Sequence, residues 1–138
     1  IIRKVNIIAF GGLKNKIISF DKGINVVYGE NEAGKSTIQA FIKIWLYGMS
    51  SYKGKDYKQN ERLKYIPSTG ETISGELYVE FKNKDYIITR TFGKSKKEDT
   101  CSVIDSITGE EISYISKDEP GKYFFNINYI RYSFEYLM

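Results

Sequence analysis

Residues 29–37, G-E-N-E-A-G-K-S-T, have the types and the spacing of a loop that binds a polyphosphate. They fit the pattern G-x-x-x-x-G-K-[ST], in which the glycines let backbone N–H groups curl closely around an anion. Lys35 can reach the β- and γ-phosphates as a point charge, and the Ser36 hydroxyl suits Mg²⁺, which prefers oxygen ligands. The sequence therefore predicts a site for a nucleoside triphosphate and Mg²⁺, with Ser36 as the metal ligand. The predicted nucleotide-binding residues are Gly29, Asn31, Glu32, Ala33, Gly34, Lys35, Ser36 and Thr37.

The segments on either side of this loop are those that position a phosphate site. Residues 24–28 have the apolar composition of a short buried strand. After the loop, apolar side chains recur at the spacing of one helical face, and Gly48 is a suitable helix stop. These apolar residues are Ile38, Phe41, Ile42, Trp45, Leu46 and Met49. The loop is thus expected to open a helix, whose N-terminus favours an anion.

Composition limits the class of protein. The chain has 138 residues, of which 41% are hydrophobic and 15% aromatic, which is enough for the core of one globular domain. The absence of histidine excludes histidine-based metal sites and triads, and a single cysteine, Cys101, excludes an internal disulfide. No apolar run is long enough for a bilayer and no leader pattern is present, so we expect a cytoplasmic protein without membrane contact. The net charge of +4 permits contact with nucleic acid without demonstrating it.

Alternating apolar and polar residues predict several strands around this core. Residues 2–10 and 16–20 are expected to pair as an antiparallel hairpin at the edge of a sheet. Residues 73–92 are expected to form a second hairpin, with its turn at residues 83–85. Two further strands are predicted, at residues 100–106 and 110–114. These later strands would form a small antiparallel unit inserted after the phosphate-loop helix.

Residues 49–70 show no clear periodicity and interleave basic and aromatic side chains. The set comprises Lys53, Lys55, Lys58, Arg62 and Lys64 with Tyr52, Tyr57 and Tyr65. Such a mixture is typical of a surface for single-stranded nucleic acid, but also of an ordinary solvated loop. The solvated loop is the interpretation that we favour.

Several of these segments together resemble the amino-terminal lobe of SMC-like ATPase heads. The similarity is carried by residues 9–15 (A-F-G-G-L-K-N), by residues 20–37 with the phosphate loop, and by L-Y-G at residues 46–48. Residues 74–77 and 86–92 are similar to the β-hairpin of these heads. The family includes chromosome-organising SMC proteins, the ATPase of the double-strand-break repair complex, RecF and RecN. Its YhaN-like bacterial branch, within the AAA family, is the most similar.

The resemblance implies an α/β fold of the P-loop NTPase type, an ABC-type ATPase head with an inserted antiparallel β unit. In such heads ATP and Mg²⁺ lie between two subunits, and a carboxyl-terminal lobe brings the signature motif, the acidic Walker B strand and the catalytic glutamate. The sequence contains none of these motifs, so the resemblance implies an ATP-binding half-site without catalytic residues, inactive as an ATPase on its own. The implied partners are that lobe of the same protein, a second head in a homodimer, and DNA, in repair, chromosome organisation or defence.

Individual residues carry over where they match the family. Lys64 and Ser68 are implied to flank the nucleotide. The break-repair relatives place an arginine near the nucleotide base where this chain has Gly11, so that contact is not carried over. The glutamine of the lid would lie either where Tyr132 stands or past Met138, and we favour the second position.

We expect one partial domain over residues 1–138. Its parts are a P-loop core at 1–48, the basic and tyrosine-rich loop at 49–70, the antiparallel β unit at 71–116, and at 117–138 a helix and the lead-in to the lid glutamine. The helix is predicted to start at Asp118-Glu119-Pro120, because proline favours the first helical turn.

Two other classes of enzyme share parts of the pattern. An ABC-transporter ATPase subunit has the same core, but there the lid glutamine usually follows the phosphate loop much sooner. A GTPase is suggested by D-x-x-G at residues 118–121, but the guanine-binding motif N-K-x-D is absent. A nucleic-acid module based on the loop at residues 49–70 is a third alternative.

Overall fold

The computed structural model describes residues 1–20, 32–50, 54–56 and 59–125. Its described strands form one sheet in which every neighbouring pair is antiparallel. The strands are β1 (Ile2–Phe10), β2 (Leu13–Ser19), β3 (Ile73–Phe81), β4 (Lys84–Phe92) and β5 (Thr100–Asp105). They lie in the order β2-β1-β3-β4-β5, so the earliest strand occupies an inner position.

The described ranges also hold the helices α1 (Glu32–Tyr47), α2 (Glu61–Tyr65) and α3 (Gly121–Phe125). As predicted, α1 begins inside the phosphate-loop motif and ends before Gly48, whose φ of +84° is a left-handed conformation that glycine adopts readily. Also as predicted, α3 starts directly after Pro120. In this part of the chain, no helix has both the length and the apolar character needed to span a bilayer.

The apolar stripe of α1 packs against one face of the sheet. Five of the six predicted stripe residues are fully buried, and only Met49, which follows the helix, is partly buried. The Trp45 indole donates a hydrogen bond to the carbonyl of Gly75 on β3 over 3.2 Å. A Cβ on Gly75 would lie 2.6 Å from the carbonyl oxygen of Asn6 and 2.9 Å from the Phe41 ring. Glycine at this position therefore lets the helix approach the sheet closely.

Both predicted hairpins are confirmed, with two corrections. β1 and β2 pair antiparallel with β2 at the sheet edge, and β2 begins at Leu13 rather than at residue 16. β3 and β4 pair along their whole length, but their turn lies at Lys82 and Asn83 rather than at residues 83–85. Both residues have positive φ, 51° and 65°, which a two-residue hairpin turn requires and which asparagine tolerates better than most residues.

Two predictions for other segments are wrong. The strand expected at residues 110–114 is reduced to one bridge, between Glu111 and Ile104, because Ile112 and Ile115 then turn inwards to pack on the core. Residues 49–70, expected to form an irregular loop, contain α2. Its N-cap is Asn60, whose side chain accepts a hydrogen bond from the Leu63 amide. A helix of five residues is too short to produce a periodic sequence pattern.

The later strands are continuous with the first hairpin. β3 pairs with β1 from Ile2↔Val79 to Ala9↔Ser74, so that the expected inserted unit and the first hairpin form a single sheet. The predicted strand at residues 24–28 and the lead-in to the lid glutamine beyond residue 125 lie outside the described residues.

Candidate nucleotide-binding site

The described part of the phosphate-loop motif forms the first turns of α1. Glu32 and Ala33 are its first residues, and Gly29 and Asn31 lie outside the described ranges. Lys35 and Ser36 are exposed at this end of the helix, while Gly34 and Thr37 are half-buried. The N-terminal end of a helix carries partial positive charge, so this end, beside an exposed ammonium and an exposed hydroxyl, favours an anion.

The body of α1 is held firmly, and this gives its exposed end a fixed position. The rings of Phe41 and Trp45 stack with their centroids 3.9 Å apart, and the ring of Phe10 on β1 meets the Phe41 ring edge-on at 5.4 Å. All three side chains are fully buried. Large, well-packed aromatic side chains contribute strongly to core stability, so the helix is anchored one turn after the motif.

Helix α2 contacts the region around the end of α1 at its start and the β1–β2 turn at its end. Glu61, at its start, forms an ion pair with Lys43 and accepts a hydrogen bond from the amide of Ser50 over 2.6 Å, at the carboxyl-terminal half of α1. Tyr65, at its end, accepts a hydrogen bond from the amide of Gly11 over 2.7 Å. The two ends of α2 are therefore tied to different parts of the molecule, and its last residue lies at the turn between β1 and β2.

Gly11 lies between Tyr65 and Thr37. A Cβ built on Gly11 would be 3.4 Å from Cδ1 of Tyr65 and 3.7 Å from Cγ2 of Thr37. The φ of Gly11 is +60°, a conformation that disfavours most other residues. Together, these contacts join the first turns of α1, the β1–β2 turn and the end of α2 into one local surface.

A second polar contact fixes α2 to the loop between β4 and β5. The guanidinium of Arg62 donates to both carboxylate oxygens of Asp99, over 2.8 and 2.6 Å, and to the carbonyl of Gly93 over 3.0 Å. The hydrogen bond to Asp99 is the main cause that raises the pKa of Arg62, so the guanidinium keeps its charge in this contact. The sequence pattern of residues 49–70 does not indicate this contact between Arg62 and Asp99.

Lys64 and Ser68, the residues implied to flank the nucleotide, are both exposed; Lys64 lies in α2 and Ser68 lies in the turn that follows it. The Lys64 ammonium lies 5.4 Å from the centre of the Tyr65 ring. They are thus near Tyr65 along the chain, and a role for them beside a nucleotide stays a prediction. The sequence names Tyr65 only as one aromatic residue of the loop at 49–70, and its contact with Gly11 becomes visible only in the structure.

No described cluster of acidic, histidine or cysteine side chains could hold a metal ion by itself within the ranges that the structure covers. In nucleotide sites, Mg²⁺ usually keeps several waters and takes only one or two protein ligands besides phosphate oxygens. The exposed Ser36 hydroxyl beside Lys35 has the chemistry of such a ligand.

Comparison with known proteins places the chain in a family. The family model described as "AAA domain" matches residues 4–135. The chain is 33% identical over 95 residues, 67% of its length, to "Uncharacterized protein YhaN" of Bacillus subtilis, of which this covers 9%. It is 33% identical over 114 residues, 82% of its length, to "DNA double-strand break repair Rad50 ATPase" of Sulfurisphaera tokodaii, of which this covers 12%. The protein of the same name from Thermoplasma acidophilum is 26% identical over 118 residues, 86% of this chain and 12% of that relative.

The chain thus spans only about a tenth of the length of the curated relatives that it matches. The family match covers nearly all of the chain, including the phosphate loop, both hairpins and α3. The chain therefore belongs to the AAA-domain family, as the amino-terminal lobe of an SMC-like ATPase head.

Proposed function

We propose that this chain is the ATP-binding part of an SMC-like ATPase head. The observation that carries the proposal is the position of Lys35 and Ser36, both exposed on the first turns of a helix whose apolar face is buried against a sheet. In this arrangement the motif residues are held by the core but remain open to a ligand. Membership of the AAA-domain family supports the same conclusion.

Each motif residue has a distinct task in the proposed site. The backbone amides of residues 31–34, with Gly29, surround the β- and γ-phosphates. Lys35 neutralises phosphate charge, Ser36 ligates the Mg²⁺ that accompanies ATP, and Thr37 extends the site towards Gly11. Ser36 would hold this Mg²⁺, which would supply positive charge against the phosphates. Lys64 and Ser68 are proposed to flank the nucleotide.

Hydrolysis is proposed to need the rest of the protein. The catalytic base and the second clamp on the γ-phosphate would come from the carboxyl-terminal lobe and from a second head, so that ATP binding draws two heads together. The name of one group of relatives includes DNA double-strand break repair, which supports DNA as the eventual partner. The chain alone is expected to bind ATP and to hydrolyse it no faster than the background rate.

Isothermal calorimetry with ATP and Mg²⁺ tests the proposal. We expect the wild-type chain to bind and Lys35→Ala to lose at least about tenfold in affinity, since a charge-assisted contact to phosphate is a strong one. Lys97→Ala is the matched control, because Lys97 is also an exposed lysine but lies on a 3₁₀ turn at the β4–β5 loop. Equal affinity of Lys35→Ala and wild type would contradict the assignment. Preference for GTP over ATP would favour the GTPase alternative instead.

A further inference from the structure

Two residues of α2 that lie about one helical turn apart, Arg62 and Tyr65, are fixed to different parts of the molecule. The Arg62 guanidinium donates to both carboxylate oxygens of Asp99, over 2.8 and 2.6 Å, in the segment that joins β4 and β5. The Tyr65 carbonyl accepts from the amide of Gly11 over 2.7 Å, in the turn between β1 and β2. Because α2 has only five residues, a displacement at Arg62 is passed on to Tyr65.

The turn at Gly11 lies against the first turns of α1. The Cβ position of Gly11 is 3.7 Å from Cγ2 of Thr37, which is half-buried, whereas the neighbouring motif residues Lys35 and Ser36 are exposed. A binding motif contributes most to affinity when surrounding contacts hold it in its binding geometry before the ligand arrives. The turn at Gly11 is placed to support the motif in this way from one side.

We propose that Arg62 and Asp99 are positioning residues of the nucleotide site, which act through α2 and the Gly11 turn on the first turns of α1. This inference rests on the proposed nucleotide-binding function and gives a role in it to a pair outside the phosphate-loop motif. The contact has a fixed geometry, since Asp99 also accepts from the amide of Gly93 and Arg62 donates to the carbonyl of Gly93, each over 3.0 Å. The Arg62 and Asp99 side chains are only 22% and 18% exposed, so water competes weakly for their hydrogen bonds.

The opposite charges of the pair separate a positioning role from long-range attraction of the nucleotide. ATP is an anion, so electrostatics alone would weaken its binding when Arg62 is removed and strengthen it when Asp99 is removed. A positioning role predicts weaker binding in both cases, because either change releases α2 from the β4–β5 segment. The direction of the change in Asp99→Ala is therefore the decisive observation.

Calorimetry with ATP and Mg²⁺ measures this direction. Arg62→Ala and Asp99→Ala are each expected to bind ATP about fivefold more weakly than the wild type, a size typical of residues that act on a site through others. The double variant should lose no more than either single variant, because all three lack the same contact. Lys122→Ala is the matched control, since it also removes a positive charge but from an exposed ion pair with Glu119, and it should bind like the wild type.

Amide hydrogen exchange without nucleotide tests the intermediate step at Gly11. In Arg62→Ala the Gly11 amide should exchange about tenfold faster than in the wild type, because its bond to Tyr65 opens more often. Amides of the β3–β4 ladder should keep their wild-type rates. Equal acceleration at Gly11 and in this ladder would show that the pair only supports the fold as a whole, which overturns the positioning role.

The remaining outcomes separate this inference from the proposed function. Wild-type ATP affinity in Arg62→Ala, a gain of affinity in Asp99→Ala, or unchanged exchange at Gly11 each overturns the positioning role and leaves ATP binding intact. If the wild-type chain binds no ATP, the proposed function fails, and exchange at Gly11 still decides whether the pair holds this turn. If Arg62→Ala does not fold, Arg62→Lys replaces it, because lysine keeps the charge but not the two parallel hydrogen bonds. Wild-type affinity of Arg62→Lys would then overturn the inference.

Discussion

Arg90 on β4 donates a hydrogen bond to the carbonyl oxygen of Asp118 over 2.6 Å, and the same nitrogen donates to the neighbouring carbonyl of Lys117 over 2.8 Å. The side chain is only 4% exposed, and burial is the main cause that lowers its pKa. The carbonyl of Asp118 also lies 3.2 Å from the Cβ position of Gly48, at the end of α1. One buried cation thus joins the sheet, the end of α1 and the segment that leads into α3.

Replacing Arg90 by methionine is expected to destabilise the chain by about 3 kcal/mol, because it leaves buried carbonyl oxygens without their donor. The free energy of unfolding in urea measures the effect. Arg3→Met is the control, since Arg3 is 43% exposed and its ion pair with Glu80 should contribute less than about 1 kcal/mol. If the two variants lost similar amounts of unfolding free energy, the buried contacts of Arg90 would stabilise the fold no more than an exposed ion pair does.

The bidentate pair of Arg62 and Asp99 is expected to show energetic coupling. Both side chains are about one-fifth exposed, at 22% and 18%, so solvent screens them less than a surface pair. A double-mutant cycle with Arg62→Ala and Asp99→Ala should give a coupling energy of about 1 kcal/mol. The same cycle on Lys122 and Glu119, which are 50% and 39% exposed, should give almost none. Equal coupling in the two cycles would argue against a fixed α2.

Gly75→Ala is expected to destabilise the fold by about 2 kcal/mol or more, because the new methyl group would overlap the Asn6 carbonyl and the Phe41 ring. Gly12→Ala provides the matched control, since a Cβ there would meet nothing within 4 Å. Thermal unfolding of both variants measures the difference. A mild effect at Gly75 would mean that α1 can shift away from the sheet at little cost.

Alkaline pH is expected to weaken the fold through Tyr86. Burial, with smaller contributions from Tyr114 and Tyr123, raises the pKa of Tyr86 from 10.0 to about 12. The folded state therefore retains a proton that the unfolded chain loses. The stabilisation that neutral Tyr86 gives the folded state is complete below pH 10.0 and declines as the pH rises through about 12. Urea unfolding between these values should show a falling stability in the wild type and a flatter curve in Tyr86→Phe.

Much of the local structure could be predicted from the sequence, because its signals are local. Apolar and polar residues alternate along the strands, and the apolar stripe of α1 follows the helical period. Gly48 and Pro120 mark helix boundaries. What could not be predicted depends on contacts between distant residues. The return of α2 to Gly11 rests on Tyr65 and Arg62 meeting partners that no pattern in residues 49–70 indicates. The turn at Lys82 was misplaced by one residue because several polar residues in a row suit a turn equally well.

The inner position of β1 has a consequence during synthesis on the ribosome. Ile2 pairs with Val79, so one edge of β1 stays unpaired until β3 has also emerged. Throughout that interval the nascent polypeptide presents an apolar, hydrogen-bonding edge that can associate wrongly, and long-range pairing of this kind is slow to form. Co-translational folding of this sheet is therefore expected to wait for β3.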